Sequence, residues 1–147
     1  MASNSAERIV LLPIKPLYAE AIMIGSKKVE FRKARFDSEV LYAVVYASRP
    51  DREILGYFEV CDIVEDSPEA LWARYHEVAG ISQEDFQAYY ASSTIGIAIE
   101  IGNVYPLRNP APFTILGEAL TPPQSFMYLT NEAFEMLRTK QFSEKGG

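Results

Sequence analysis

The chain has 147 residues, 48% of them apolar, and a formal net charge of −6 at pH 7. This length suits one domain with a core of its own, and the acidic balance argues against a protein that coats long nucleic acids through many phosphate contacts. The single cysteine, Cys61, excludes an internal disulfide, and no apolar run approaches the length of a membrane span. We therefore expect a soluble, cytoplasmic domain over residues 9–140, between a flexible N-terminus (1–8) and a flexible tail (141–147).

The charge is distributed unevenly along the chain. Residues 1–50 carry eight Lys and Arg against five Asp and Glu, whereas residues 51–147 carry six against fifteen. Positive charge is therefore concentrated in the first third, which predicts a local basic site on an acidic body. The acidic second half could face a protein partner, and nothing in the pattern indicates an oligomeric state.

A strand–helix–strand unit is predicted at the start of the chain. Residues 9–14 form an apolar run typical of a short buried strand. Pro16 suits the first turn of a helix over residues 17–24, and Gly25 suits the C-terminal cap of that helix. The unit returns the chain, so Lys15 at the end of the strand is expected beside the residues that follow the glycine.

The stretch after this glycine is rich in charge. Lys28, Glu30 and Arg32 share one face of the predicted strand, while Val29 and Phe31 can enter a core from the other face. Two cations around a carboxylate suit an anionic ligand that also forms hydrogen bonds. The alternative is a solvated strand edge, where charged side chains block unwanted pairing.

The remainder of the chain predicts further strands with helices inserted between them. Strands are predicted at 40–47, 54–64 and 95–101, and helices after Ser67, after Ser82 and over 130–139. The proline-rich segment 105–116 is expected to be irregular or an edge. Five or six strands in this arrangement predict an α+β fold, a small mixed, mostly antiparallel β-barrel with inserted and flanking helices.

Several of these motifs occur together in a known family. The first motif is Ile14-Lys15-Pro16-x-Tyr18-Ala19, and Gly25-x-Lys27-Lys28-x-Glu30-x-Arg32 follows it. Further matches lie at 54–60, 66–72 and 122–129. Together they resemble the ASCH family of the PUA-like superfamily, whose small β-barrels recognise RNA and nucleotides. The resemblance implies a PUA-like barrel that binds RNA or a nucleotide, with a modified base among the expected ligands.

The expected ligand site combines cations, a carboxylate and flat rings. Lys15, Lys28 and Arg32 would supply positive charge to a basic cleft. Glu30 would accept hydrogen bonds from a base amino group. The other residues expected at the pocket are Tyr46, Ser48, Ser125 and Tyr128. Pro122 and Pro123 hold the backbone extended before Gln124 and Ser125, which would present these two side chains rigidly to a ligand. The alternative is that Phe126 and Leu129 plug the end of the barrel while Ser125 caps a turn.

Enzymatic alternatives use the same region. The resemblance includes small amidohydrolases that cleave the acyl group of N4-acetylcytidine with a lysine, a threonine three residues later and a distant glutamate. Their lysine falls on Lys27, their threonine on Glu30 and their glutamate near Ala79, with Glu77 close by. A carboxylate cannot replace a hydroxyl nucleophile without a change of mechanism, so this activity is not expected. A ribonuclease that uses Lys27 or Lys28 with Glu30 as its general base remains open.

No metal and no other cofactor is expected. His76 is the only histidine, and it has no second histidine or cysteine at ligand spacing. Cys61 lies among apolar residues, which favours a buried thiol. A third alternative to binding and catalysis of RNA is a regulatory domain whose pocket senses a small metabolite.

Overall fold

The computed structural model describes residues 8–36, 39–117 and 120–146, with 140–146 described as backbone alone. The strands are β1 (Ile9–Ile14), β2 (Val29–Arg32), β3 (Tyr42–Ala47), β4 (Glu53–Asp66), β5 (Gly96–Pro112) and β6 (Met127–Leu129). They form one six-stranded sheet in the order β2-β5-β4-β3-β1-β6. Neighbours run antiparallel except β1 and β3, which are parallel. The prediction of a mixed, mostly antiparallel α+β fold is confirmed.

Four α-helices accompany the sheet. They are α1 (Pro16–Ile24), α2 (Pro68–Tyr75), α3 (Gln83–Tyr89) and α4 (Asn131–Gly146), with short 3-10 helices at His76–Val78 and Phe113–Leu116. The side chains of Ser67 and Ser82 cap α2 and α3, as predicted, by accepting a backbone N–H three residues later. The expected flexible tail, 141–147, includes the end of α4, and Gly147 lies outside the described residues, as do residues 1–7 of the expected flexible N-terminus.

Both faces of the sheet are covered, which explains the continuous apolar run of β1. Ile9 and Leu11 pack into a cluster that includes Phe134 of α4. Val10 and Leu12, which alternate with them, pack into a second cluster on the side of α1. A third cluster forms where α2 and α3 pack on the outer face of β2. Val29 and Phe31 belong to the third cluster, so Glu30 and Arg32, which alternate with them, lie on the opposite face of β2.

The sheet does not close into the expected barrel. β2 and β6 are its two edges, and no pairing joins them within the described part of the chain. β6 has only three residues, and the prolines at 122 and 123 before it carry no N–H for a strand ladder. The side chain of Arg32 spans the gap instead, since Nη2 donates to the Pro13 carbonyl at 2.9 Å and Nη1 to the Ser125 carbonyl at 3.4 Å.

Two other expectations concern residues of β4 and β5. The proline-rich segment continues β5 as far as Pro112, along a part where β4 is the single neighbour, and Phe113–Leu116 then form a 3-10 helix. Cys61 is exposed, which corrects the expectation of a buried thiol. Register shifts of β4 against β5 on either side of Val60 change which side chains face the core.

Among the described residues, no helix is both long and apolar enough to span a membrane.

Candidate functional site

The turn after α1 directs Lys27 into the molecule. Gly25 takes a left-handed conformation with φ of 91°, and its N–H donates to the carbonyls of Ala21 and Ile22. The Lys27 N–H donates to the same Ala21 carbonyl at 3.1 Å, which holds the backbone close to the helix end. The lysine side chain therefore runs inward along Gly80 instead of pointing to solvent.

The segment 79–80 fixes both the stem and the head of Lys27. Gly80 has φ of 63°, and a Cβ at this position would lie 2.6 Å from Lys27 Cβ and 2.7 Å from its Cγ. A larger residue at position 80 would therefore displace the lysine stem. The carbonyl of Ala79 accepts a hydrogen bond from Lys27 Nζ at 2.6 Å.

The ammonium group of Lys27 is almost completely enclosed, because the residue is only 2% exposed. Nζ lies 4.0 Å from Glu30 Oε1, and 5.3 and 5.5 Å from the ring centroids of Tyr18 and Phe31. Burial lowers the pKa of Lys27; Glu30 partly opposes this shift and Arg32 adds to it. Lys27 therefore releases its proton more readily than a surface lysine, which is a property of lysines that act as bases or nucleophiles.

Glu30 and Arg32 lie on the same face of β2, while Val29 and Phe31 pack with α2 and α3 on the other face. Arg32 Nε lies 3.2 Å from Glu30 Oε2, an ion-pair distance, although the Nε–H itself is not directed into a hydrogen bond. The Glu30 side chain is 10% exposed. Its carboxylate is thus held between Arg32 on one oxygen and Lys27 on the other.

These groups line a cleft of about 470 Å³ between α1, β2 and α3. Lys15 and Tyr18 enter it from the start of α1, and Asp85 and Tyr89 enter it from α3. The Tyr18 hydroxyl donates to Asp85 Oδ2 at 3.3 Å across the cleft, and burial together with this carboxylate raises the pKa of Tyr18. The volume lies within the usual range of small-ligand sites. The cleft therefore offers cations, aromatic rings and an enclosed carboxylate to one ligand.

The structure brings together four of the residues singled out in the sequence. Lys15, Lys27, Glu30 and Arg32 all line the cleft. Lys28 does not, because it lies just before β2 with an exposed side chain, and its backbone is bonded to Val78 and Ile101. The inward cation at the start of β2 is thus Lys27, which the strand alternation alone does not identify.

The other residues expected at the pocket lie in different places. Ser125 lines a neighbouring cavity that shares Arg32 with the cleft. Tyr46 is 4% exposed and packs edge-on against Phe113 in the cluster beneath α4, on the opposite face of the sheet. Ser48 bonds to the Ile14 carbonyl through both its N–H and its hydroxyl, at the ends of β1 and β3.

Tyr128 lies in β6 opposite Val10, and its ring meets Phe126 edge-on at 5.5 Å. It is not among the residues that line the cleft or the neighbouring cavity.

The cleft also contains polar and aromatic side chains that the sequence did not single out for the pocket, among them Tyr18, Asp85 and Tyr89. Tyr18 follows Lys15 by three residues, and this helical spacing places both on one face, so the sequence could have predicted Tyr18 in the cleft. Asp85 and Tyr89 share a face of α3 for the same reason. Nothing in the sequence, however, indicates that α3 packs opposite α1.

The described residues contain no group of three or more His, Cys, Asp or Glu arranged to hold a metal ion. The chemistry that the cleft itself can supply is charge, hydrogen bonding, stacking and proton transfer by Lys27.

Comparison with known proteins agrees with this fold. The model of the ASCH domain family matches residues 12–102. Over 132 residues the chain is 30% identical to a protein of Zymomonas mobilis named ASCH domain-containing ribonuclease, and the match covers 86% of this chain and 88% of that protein. The sequence resemblance to the family is thereby confirmed.

Solved structures show the same architecture. The crystal structure of ASCH from Zymomonas mobilis has a TM-score of 0.83 at 26% identity, covering 89% of this chain and 94% of that chain. The N-terminal domain of Staphylothermus marinus McrB has a TM-score of 0.60 at 11% identity, covering 90% and 93%, and shares the fold alone. The family match and the Zymomonas relative together show that this chain belongs to the ASCH domain family.

Proposed function

We propose that the chain binds single-stranded RNA and takes one nucleotide into the cleft. The observation that carries the proposal is the convergence of Lys15, Lys27 and Arg32 around a single cavity of about 470 Å³ that also holds an enclosed carboxylate, Glu30. The relative of Zymomonas mobilis that is named a ribonuclease supports RNA as the ligand class.

Each group has a role that its environment favours. Lys15 is exposed at the rim of the cleft and is suited to a phosphate. Tyr18 and Tyr89 offer rings on which an unpaired base can stack. Glu30 is an acceptor enclosed beside two cations, and it can take a hydrogen bond from a base amino group.

A short single strand suits the molecule better than a duplex does. Single-stranded bases can be splayed out and inserted into a concave site, whereas stacked and paired bases cannot. The net charge of −6 leaves positive charge only locally, so few phosphates can be neutralised. With two or three phosphate contacts, the logarithm of the affinity should fall with the logarithm of the salt concentration with a slope of about −1.4 to −2.1.

The test compares two lysines of equal charge, one in the cleft and one outside it. Lys15→Ala should weaken binding of a fluorescent single-stranded oligoribonucleotide by about 1–3 kcal/mol, which corresponds to about 5- to 150-fold in anisotropy titrations. Lys28→Ala is the matched control and should change the affinity by less than about 2-fold, because its side chain lies outside the cleft. Equal losses in both variants would show that binding depends on the general charge of this region and would refute the cleft.

A second function, RNA cleavage, is favoured by the burial of Lys27. A lysine with a lowered pKa can remove the proton from a ribose 2′-hydroxyl, whose oxygen then attacks the adjacent phosphorus. The bond from phosphorus to the 5′-oxygen breaks, and the protonated lysine returns the proton to that oxygen, while Lys15 and Arg32 stabilise the charge on the phosphate. End-labelled RNA incubated with the wild-type protein, with a chelator present and absent, should be cut, and Lys27→Met should abolish the cutting. Intact RNA after long incubation with a protein that binds it would leave binding as the function and reject cleavage.

Acyl hydrolysis of N4-acetylcytidine has less support. Glu30 stands where those hydrolases carry a hydroxyl, and the group that faces Lys27 from position 79 is a backbone carbonyl, not a carboxylate. We expect no appreciable release of acetate from N4-acetylcytidine. Robust release that is lost in Lys27→Met would show that these residues can serve the hydrolase mechanism after all.

A further inference from the structure

A second cavity adjoins the cleft at the open edge of the sheet. It has a volume of about 280 Å³ and shares Arg32 and Tyr89 with the cleft. Lys33, Gln124 and Ser125 supply its other polar groups, and its remaining walls are mainly apolar. Because Arg32 and Tyr89 belong to both cavities, a ligand that leaves one can enter the other across these two side chains.

We propose that this cavity is a second nucleotide subsite, so that the RNA strand crosses from the cleft over Arg32 and Tyr89 toward the segment before β6. The proposal rests on the proposed function and extends it, because it assigns a substrate of at least two linked nucleotides. The chemistry of the second cavity repeats that of the first, with a cation, an aromatic ring and hydrogen-bonding side chains on an apolar base.

The pair of Lys33 and Tyr89 is the first element of the subsite. Lys33 Nζ lies 4.8 Å from the centroid of the Tyr89 ring, and both side chains are exposed. No carboxylate lies within ion-pair distance of Lys33 among the described residues. The lysine is therefore available for a phosphate beside the ring that the two cavities share, and a cation next to an aromatic ring is a combination that single-strand binding sites use.

The far wall supplies hydrogen bonds. The side chains of Gln124 and Ser125 are exposed and line the cavity, so an amide and a hydroxyl can meet a base edge or a ribose. The Ser125 carbonyl accepts a hydrogen bond from Arg32 Nη1 at 3.4 Å, which holds the backbone of this segment beside β2. A wall that is already in place loses little entropy when the ligand binds.

Arg32 lies between the two cavities, beside the path of the phosphate that would join the two nucleotides. Its guanidinium has five N–H donors, of which two are engaged with the carbonyls of Pro13 and Ser125. A phosphodiester that joins nucleotides in the two cavities must pass this shared side chain. Arg32 is therefore expected to bind the phosphate between the two nucleotides, whereas Lys33, which lines only the second cavity, is expected to bind the second nucleotide.

The experiment compares nucleoside 5′-monophosphates with the matching 5′-phosphorylated dinucleotides by calorimetry. All four bases are used, and the dinucleotides carry a 2′-deoxyribose before the bridging phosphate so that they cannot be cleaved there. The dinucleotide of the preferred base should bind at least about 10-fold more tightly than its monophosphate. Lys33→Ala should remove about 5- to 10-fold of the dinucleotide affinity and change the monophosphate affinity by less than about 2-fold.

Two variants complete the design, and each failure has its own meaning. Gln124→Ala should reproduce the selective loss, and Lys28→Ala, the control for net charge, should change neither affinity. Equal affinity for monophosphate and dinucleotide, or an equal effect of Lys33→Ala on both, overturns the second subsite while the cleft stands. Absence of binding by either ligand overturns the proposed function and the subsite together.

Discussion

Replacing Arg32 with alanine should destabilise the protein, because this side chain joins the two open edges of the sheet. The variant loses hydrogen bonds from a charged donor to the carbonyls of Pro13 and Ser125, at 2.9 and 3.4 Å. It also leaves Glu30, whose side chain is 10% exposed, without its partner at 3.2 Å. Removing one partner of a buried ion pair typically costs about 3–5 kcal/mol. Lys27 remains 4.0 Å from the carboxylate, so we expect the lower end, about 3 kcal/mol.

The measurement is urea unfolding followed by the fluorescence of the single tryptophan, Trp72. A loss of about 3 kcal/mol corresponds to a fall in melting temperature of about 6–12 °C for a chain of this size. Arg35→Ala is the matched control: Arg35 pairs with Glu65 at 2.7 Å, but both side chains are about half exposed, so the loss should stay below about 1 kcal/mol.

A second variant separates the ion pair from the bridge across the sheet. Arg32→Met with Glu30→Gln removes the unpaired charge, and it should be less destabilised than Arg32→Met alone. If Arg32→Ala loses less than about 1 kcal/mol, or no more than Arg35→Ala, the side chain does not hold the open edge together and the reasoning is refuted.

Three further predictions concern residues that support the site and the core. Gly25→Ala should lower the free energy of unfolding by about 1 kcal/mol, and Gly80→Ala should lower it by more. Both glycines have positive φ, but only at Gly80 would a Cβ meet Lys27, at 2.6 Å. Equal urea midpoints for the two variants would contradict this. The pKa of Tyr75 is raised from 10.0 to about 12, chiefly by burial. The unfolded chain therefore ionises first, and the stability of the wild-type protein should fall as the pH rises between these values, by more than the stability of Tyr75→Phe. Parallel curves of stability against alkaline pH for the two proteins would contradict the shift. Phe134→Ala, a truncation of a residue that is 1% exposed, should cost about 3–5 kcal/mol in urea, and a loss below 1 kcal/mol would contradict its place in the core.

The sequence carried the local structure of the first half with good accuracy. The proline at the start of α1, the glycine at its end and the alternation through β2 are short-range signals, and each is confirmed by the backbone. The same alternation correctly separated Glu30 and Arg32 from the core residues between them. Short-range rules work here because each depends on backbone geometry within a few residues.

The sequence did not predict that the sheet stays open. Strand number and patterning predict a barrel, but closure depends on whether the two edges reach each other. Here β6 is limited to three residues and the gap is filled by an arginine side chain, so the closing contact is made by a side chain where a barrel would have a ladder.

Some residues of the site were likewise predicted from the sequence, and others were found only in the tertiary structure. The sequence alone determined that a basic, carboxylate-containing segment follows the first helix, and it determined the family of the chain. Only the tertiary structure decided that Lys27, not Lys28, turns inward, and that Asp85 and Tyr89 face Tyr18 across the cleft. The physical reason is that these facts depend on long-range packing: a carbonyl at position 79 and a glycine at position 80 fix a lysine 52 residues earlier in the chain.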